Sequence, residues 1–208
     1  VGSSTVLNRY YEGGSPDDLW AVPSLGIDPA TGREVFIKLD GTRTFTYSAD
    51  DKVVVGDTDP RFYGNVYTNV FYKGFSLYIM GSFKCGGYLY NVTRASRVEG
   101  TTGRTNVDRR AFDSRWKEVG DIALYRNITE HSVPQQTDRF VEKENVLTIT
   151  SVNLGYEFPQ RICQKMMLRN LRLGVNLSDI LRFSNVKVER GLDYLYGNGF
   201  EFTLSTTF

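Results

Sequence analysis

Apolar and polar residues alternate most regularly between Arg61 and Gly87, RFYGNVYTNVFYKGFSLYIMGSFKCGG. Read in twos, Phe62, Gly64, Val66, Thr68, Val70 and Tyr72 share one face, and Tyr63, Asn65, Tyr67, Asn69 and Phe71 the other. Beyond Lys73-Gly74, the set Phe75, Leu77, Ile79, Gly81, Phe83 opposes Ser76, Tyr78, Met80, Ser82, Lys84. This predicts a β-hairpin closed by a short Gly-containing turn. Each arm has about ten residues, the length a tilted strand needs to cross the hydrocarbon of a bilayer. A globular strand averages about five to six.

The period of two returns downstream. In VLTITSVNLGYEFP, Val152, Leu154, Tyr156 and Phe158 alternate with Ser151, Asn153, Gly155 and Glu157. In LRLGVNLSDIL, Leu171, Leu173, Val175 and Leu177 alternate with Arg172, Gly174, Asn176 and Ser178. The last segment, GFEFTLSTTF, places Phe200, Phe202, Leu204 and Phe208 on every second position or in phase with it. Between these strands, Pro159 to Asn170 is a moderate connection with room for a helical turn at QKMML. Upstream the signals weaken. DLWAVPSLGID reads as a strand interrupted by Pro23, and REVFIKL with RTFTYS as a hairpin around DGT at 40–42. From about 91 to 144 the chain is polar and charged, a length at which loops are commonly functional.

The connection lengths suggest an up-and-down order. In outer-membrane barrels short turns face the periplasm and long loops face outside. With Lys73-Gly74 at the periplasm, Tyr72, Phe75, Tyr156, Phe158 and Phe208 all fall at the periplasmic ends of their strands, as an interfacial aromatic girdle. Cys85 then belongs near the outer end of its strand and Cys163 in a periplasmic turn. They would lie about a bilayer apart, too far for a disulfide.

Composition narrows the class. The 208 residues carry 13 Phe and 13 Tyr but one His and three Met, a β-rich usage. A net charge of +1 gives no global electrostatic case for nucleic acid. No apolar run reaches the length of a transmembrane helix, which leaves a β-barrel open because its apolar residues alternate. Val1 opens directly on GSSTVLNRYYEGG, as expected of a processed product or a fragment.

Five segments, in order, resemble the C-terminal part of the SusC/RagA family of TonB-dependent outer-membrane transporters. They are GIDPATGREVF, the stretch VVVGDTDPRFYGNVYTNVFYKGFSLYIMGSFKCGGYLYN, SRWKEVGDIALY, DRFVEKENVLTITSVNLGYEFP and RGLDYLYGNGFEFTLSTTF. Val119 and Leu195 stand where the family pattern usually has Pro. The resemblance implies an all-β, antiparallel, up-and-down transmembrane barrel segment: about six to eight long strands with long extracellular loops, within a barrel of about 22 strands. Residues 1–208 would be its last third or less, without the plug domain. The implied partners are the rest of the barrel and plug, a SusD-like surface lipoprotein, the TonB complex through an N-terminal part, the barrel-assembly machinery and the bilayer of a Gram-negative outer membrane. Phe208, with Phe200, Phe202 and Leu204, would be the assembly signal and the strand that closes the wall.

Within the long loop, Arg109, Arg110, Arg115 and Trp116 are candidate contacts to substrate or to the lipoprotein, since Trp and Arg favour contact surfaces. The alternative is a solvated loop folded around Trp116 and Asp121. Catalysis finds little support. His131 stands alone, GTTGRT lacks the Lys and spacing of a phosphate loop, and Glu99 with Asp108 lies where charge is expected anyway. No metal spacing or cofactor motif is present. The competing reading is a soluble β-sandwich binding carbohydrate or another ligand; a non-transporting structural barrel is a third.

Overall fold

The computed structural model describes residues 10–101, 107–130, 132–187 and 198–207. The chain forms two compact units, one of Val1–Pro60 with Gly87–Lys143, the other of Arg61–Gly86 with Glu144–Phe208. The strands are β1 (Asp18–Ala21), β2 (Ser24–Ile27), β3 (Glu34–Ile37), β4 (Arg43–Thr44), β5 (Val53–Asp57), β6 (Phe62–Tyr72), β7 (Phe75–Tyr90), β8 (Val141–Glu157), β9 (Asn170–Ser184) and β10 (Gly199–Thr207). Among the described residues the short α-helices are α1 (Arg110–Asp113) and α2 (Gln160–Lys165). The expected long strands number five among the described residues, β6 to β10, and the upstream strands are two to five residues each.

In the first unit Pro23 does separate two strands. It has no N–H for a ladder, while its carbonyl accepts Ile37 N–H at 2.9 Å. The hairpin of β3 and β4 turns at Gly41, φ 80°, with Asp40 accepting Thr42 N–H at 2.8 Å. The 91–143 segment is not an open loop. It holds a π-helical turn at Arg94–Glu99, α1, and a 3₁₀ turn at Asp138–Phe140. Val98, Ala111 and Tyr125 bury one another there, and Phe140 is fully buried.

The second unit contains most of a five-stranded antiparallel sheet in the order β10-β9-β8-β7-β6. The β6–β7 turn has Lys73 at φ 47° and Gly74 at φ 87°, the two positive values that let a two-residue turn follow the strand twist. Gly74 is required twice over, because a Cβ there would also stand 2.7 Å from Glu157 O. The register pairs Tyr72 with Phe75, Val66 with Gly81, Leu154 with Val175 and Phe202 with Val175. The alternating sets read from the sequence therefore fall on common faces.

One feature of β8 escaped the simple period. Leu147 and Ile149 are odd-numbered, whereas Val152, Leu154 and Tyr156 are even. The register shifts between Ile149 and Ser151: Thr150 of β8 stands against Asp179 and Ile180 of β9, so β9 carries the extra residue, with Asp179 at φ 53°. This bulge makes odd positions of β9 pair with even positions of β8 on one side of it and odd positions on the other. Ile149 and Leu147 thus reach the same face as Gly81, whose Cβ would lie 3.6 and 4.0 Å from their methyl carbons.

The Pro159–Asn170 connection starts its helix earlier than QKMML. Helix α2 closes with Met167 at φ 55°, Met167 N–H donating to Gln164 O at 3.1 Å and Leu168 N–H to Cys163 O at 2.9 Å. This is a Schellman ending with Met where Gly is usual. Cys163 is buried and Cys85 half-buried, both as thiols.

Candidate functional site

The second unit presents its apolar side chains outward instead of covering them. On the β6–β7–β8–β9–β10 sheet, Val66 is 59% exposed, Phe202 68% and Leu204 68%. Monomeric soluble proteins rarely leave contiguous apolar patches this extensive. Along the strands the face is graded. Beside the Lys73-Gly74 turn stand Tyr72, Phe75, Tyr156 and Phe158. The Phe75 and Tyr156 rings lie 4.4 Å apart, and those of Tyr156 and Phe158 4.9 Å. Aliphatic residues follow: Val70, Leu77, Ile79, Leu154, Val175. Aromatic residues return at the far end as Phe62, Phe83 and Phe183, with Phe183 paired to Leu147 in register. From Phe75 to Phe83 the band runs roughly 27 Å along the strand at about 3.4 Å per residue. Tilted, this comes close to the apolar band of about 25 Å that barrels show to lipid. The second aromatic group was missed in the sequence because the bulge hides the phase of β8, and because Phe183 lies six residues beyond the last alternating Leu177.

Phe200 and Phe202 pack edge to face at 4.6 Å on edge strand β10. Phe208 lies outside the described residues, as do His131 and residues 188–197.

The opposite face carries Tyr63, Asn65, Tyr67, Asn69, Ser76, Tyr78, Asn153, Asn176 and Ser205. It holds a hollow of about 430 Å³ over β6 to β10. Gly155 and Gly174, register partners on β8 and β9, are among its lining residues. Within the same unit a shallower apolar depression is bounded by Phe83, Leu147 and Phe183.

The first unit is built in the opposite sense, with charges inside. Arg139 grips Glu34 with two bonds, Nε to Oε1 at 2.7 Å and Nη2 to Oε2 at 2.8 Å. Its Nη2 also reaches Glu99 Oε1 at 2.9 Å, and Arg126 Nε donates to that same oxygen at 2.8 Å. Arg126 is held in turn by Ser132 Oγ at 2.6 Å and Ser132 O at 3.0 Å. Burial opposes the charge on Arg139, but the hydrogen bonds and charges of Glu34 and Glu99 outweigh it and raise its pKa above the ordinary arginine value. Burial raises the Asp138 carboxyl, against the Ser24 N–H that donates to it at 2.9 Å. No local pattern announced this cluster, since Glu34 and Arg139 are 105 positions apart.

The four loop candidates separate into two pairs. Arg115 is buried, with Nε donating to Ala111 O at 2.8 Å and Nη2 to Val98 O at 2.7 Å and Glu99 O at 3.0 Å. Trp116 is buried against Gly32, φ 68°, and its Nε1 donates to Pro29 O at 2.9 Å. Trp116 thus holds the loop to the DPATG turn and Arg115 ties the loop to itself, and neither faces outward. Asp121 Oδ2 accepts Lys117 N–H at 2.9 Å and Glu118 N–H at 3.0 Å, which lowers its pKa. Arg109 and Arg110 are nearer the surface, paired with Asp113 and Asp108. Glu99 and Asp108, the carboxylates considered for hydrolysis, are thus each engaged by arginine. Among the described residues no group of three His, Cys, Asp or Glu could hold a metal ion.

An antiparallel sheet of long strands, apolar outside and polar inside, defines a β-barrel wall. No family model matches the chain. It is 25% identical over 177 residues to TonB-dependent receptor P3 of Formosa agariphila, covering 84% of this chain and 17% of that protein. Two solved structures share its fold. The RagAB peptide importer in the closed-closed state matches with TM-score 0.68 and 19% identity, over 88% of this chain and 22% of that one. In the open-open state the values are 0.67 and 20%, over 90% and 22%. Sequence and fold together fit part of a TonB-dependent receptor and do not favour the sandwich. None of these relatives is named as an enzyme. The chain spans about a fifth of the length of the proteins it matches.

Proposed function

We propose that this chain forms the closing wall of a TonB-dependent transporter in the outer membrane of a Gram-negative bacterium, importing oligosaccharides, peptides or similar nutrients. The observation that carries it is the exposed apolar face of β6 to β10, aliphatic in the middle and aromatic at both ends. Lipid is the solvent in which such a face is stable, and a closed barrel satisfies the backbone of edge strands there. Among the described residues β6 and β10 are the sheet edges. In this reading each pairs with a further strand of the same barrel, and β10 with Phe208 is the strand read by the assembly machinery. Residues 1–208 are the C-terminal part of the receptor, and the 91–144 region faces outside, where Arg109 and Arg110 are placed to meet a SusD-like lipoprotein or substrate. The plug, and through it the TonB complex, completes the machine.

Fractionation of source cells, probed with an antibody to this segment, tests the reading. A band several times larger than 23.6 kDa, in the outer membrane and shifting with heating, is expected. A soluble band at 23.6 kDa would sink it.

A further inference from the structure

Two of the buried charges of the first unit also line a hollow of about 290 Å³, at the lower edge of small-molecule sites. The hollow lies wholly within that unit, between the 33–47 segment and the 126–135 segment. Glu34 and Arg126 form its floor, their side chains 3% and 7% exposed and fixed by bonds. Arg126 uses Nε on Glu99 and one N–H of each Nη on Ser132, which leaves one N–H on each Nη without a partner among the described residues. Each Glu34 oxygen accepts once, from Arg139, and keeps further lone-pair capacity. The floor thus offers donors and acceptors side by side on immobile groups. The walls are aromatic. Phe45 stacks under the Arg33 guanidinium at 5.0 Å, and Tyr47 packs edge to face on buried Phe36 at 5.6 Å. Gln135 is held by Val133 O at 3.0 Å, with its Oε1 left to accept. Phe45 and Thr46 are exposed, so the hollow opens to solvent. Its formal charges cancel, Arg33 and Arg126 against Glu34 and Glu130.

We propose that this hollow binds one ring of a neutral oligosaccharide. A sugar hydroxyl both donates and accepts, so adjacent hydroxyls match the remaining Arg126 N–H groups and the Glu34 lone pairs without breaking either ion pair. The C–H surface of the ring suits Phe45 and Tyr47, whose area is apolar and rigid. A charged solute gains no net attraction from balanced charges, and would have to take Arg126 or Glu34 from a partner already in place. In the transporter reading both segments of the first unit join the wall at the strand ends remote from Lys73-Gly74, on the outer side, where a solute arrives before it meets the plug. The inference rests on that reading for this placement and for treating the sugar as cargo.

The test uses the full-length protein, purified from its source cells, and titration calorimetry. The neutral probes are maltotriose, laminaritriose, xylotriose and mannotriose; trigalacturonic acid and tetra-alanine are the charged ones. At least one neutral probe should bind. Phe45→Ala should weaken it about tenfold, as for a lost aromatic contact, and Phe45→Trp should restore it. Thr46→Trp should fill the hollow and abolish binding. The Thr46 side chain makes no bond among the described residues, so this variant keeps the fold, checked by unchanged protease resistance of 91–143. The proposal is overturned if no neutral probe binds, if sugar binding survives both Phe45→Ala and Thr46→Trp, or if only a charged probe depends on these residues. Any of these outcomes with a protein of the outer membrane removes the site and leaves the transporter reading. A soluble protein whose sugar binding needs Phe45 removes that reading and leaves the site.

Discussion

The two units solve opposite problems with the same chain. In the Val1–Pro60 and Gly87–Lys143 unit, Glu34, Lys52, Glu99, Arg115 and Arg126 are buried, and short elements are tied by charge-assisted bonds. In the other unit Val66, Leu204 and Phe202 are exposed, and long ladders carry the structure. The first arrangement suits water: a segment rich in loops has little apolar area to bury, so arginines bonded to carbonyls and carboxylates hold it. The second suits lipid, where apolar side chains cost nothing on the outside and unpaired backbone groups are costly. Burial alone would misjudge both units; the identity of the surrounding solvent decides which is ordinary.

The sharpest way to break this contrast is to remove a charge from the first unit. Glu99→Ala leaves Arg126 and Arg139 facing each other without their shared carboxylate. A loss of about 3–5 kcal/mol is expected, as for other broken buried pairs. Protease cleavage within 91–143 in membrane vesicles would report it; unchanged resistance would show that the cluster is not what holds the unit. On the sheet, Val66→Lys should cost about 2–4 kcal/mol in a bilayer, against no more than roughly 0.5 kcal/mol at a water-exposed site. Denaturant unfolding from lipid vesicles decides between them, and the smaller value would move the face out of the membrane. Trp116→Phe keeps most of the packing on Gly32 but removes the bond to Pro29 O. It should cost about 1 kcal/mol of first-unit stability, read from the same cleavage assay under denaturant.

The smallest effect concerns pH. Burial holds the Asp138 pKa above its ordinary 3.8, so the fold favours the protonated form. That contribution is fully present below 3.8 and is lost as pH rises through the folded value. Asp138→Asn keeps an acceptor for Ser24 N–H and removes the titration. The variant should therefore be the more stable protein at pH 7 and no more stable near pH 3. Parallel pH profiles of the two proteins would expose the error.

Much of the sheet was legible in advance. The Lys73-Gly74 turn was local, and the two faces of β6 and β7, the set Leu173, Val175, Leu177 and the set Phe200, Phe202, Leu204 all follow from a period of two, which is a local property of extended backbone. Pro23 and the 40–42 turn were local as well. The bulge at Asp179 was not, because a phase change between Ile149 and Val152 looks like noise until a partner strand shows which residues share a side. Nor was the ion cluster: Arg126 and Arg139 lie in the stretch read as a polar, charged loop, and nothing near them distinguishes a buried guanidinium from a solvated one.

By itself, then, the sequence determined the elements whose signals are carried by neighbours along the chain: long alternating strands, tight glycine turns, and an apolar face too regular to be chance. Only the tertiary structure decided what lies across from what. It set Gly155 against Gly174 under the hollow of the polar face, and drew Glu34, Glu99 and Arg139 together from distant segments. Those outcomes depend on contacts between residues far apart in sequence, and such contacts leave no period for a linear reading to find.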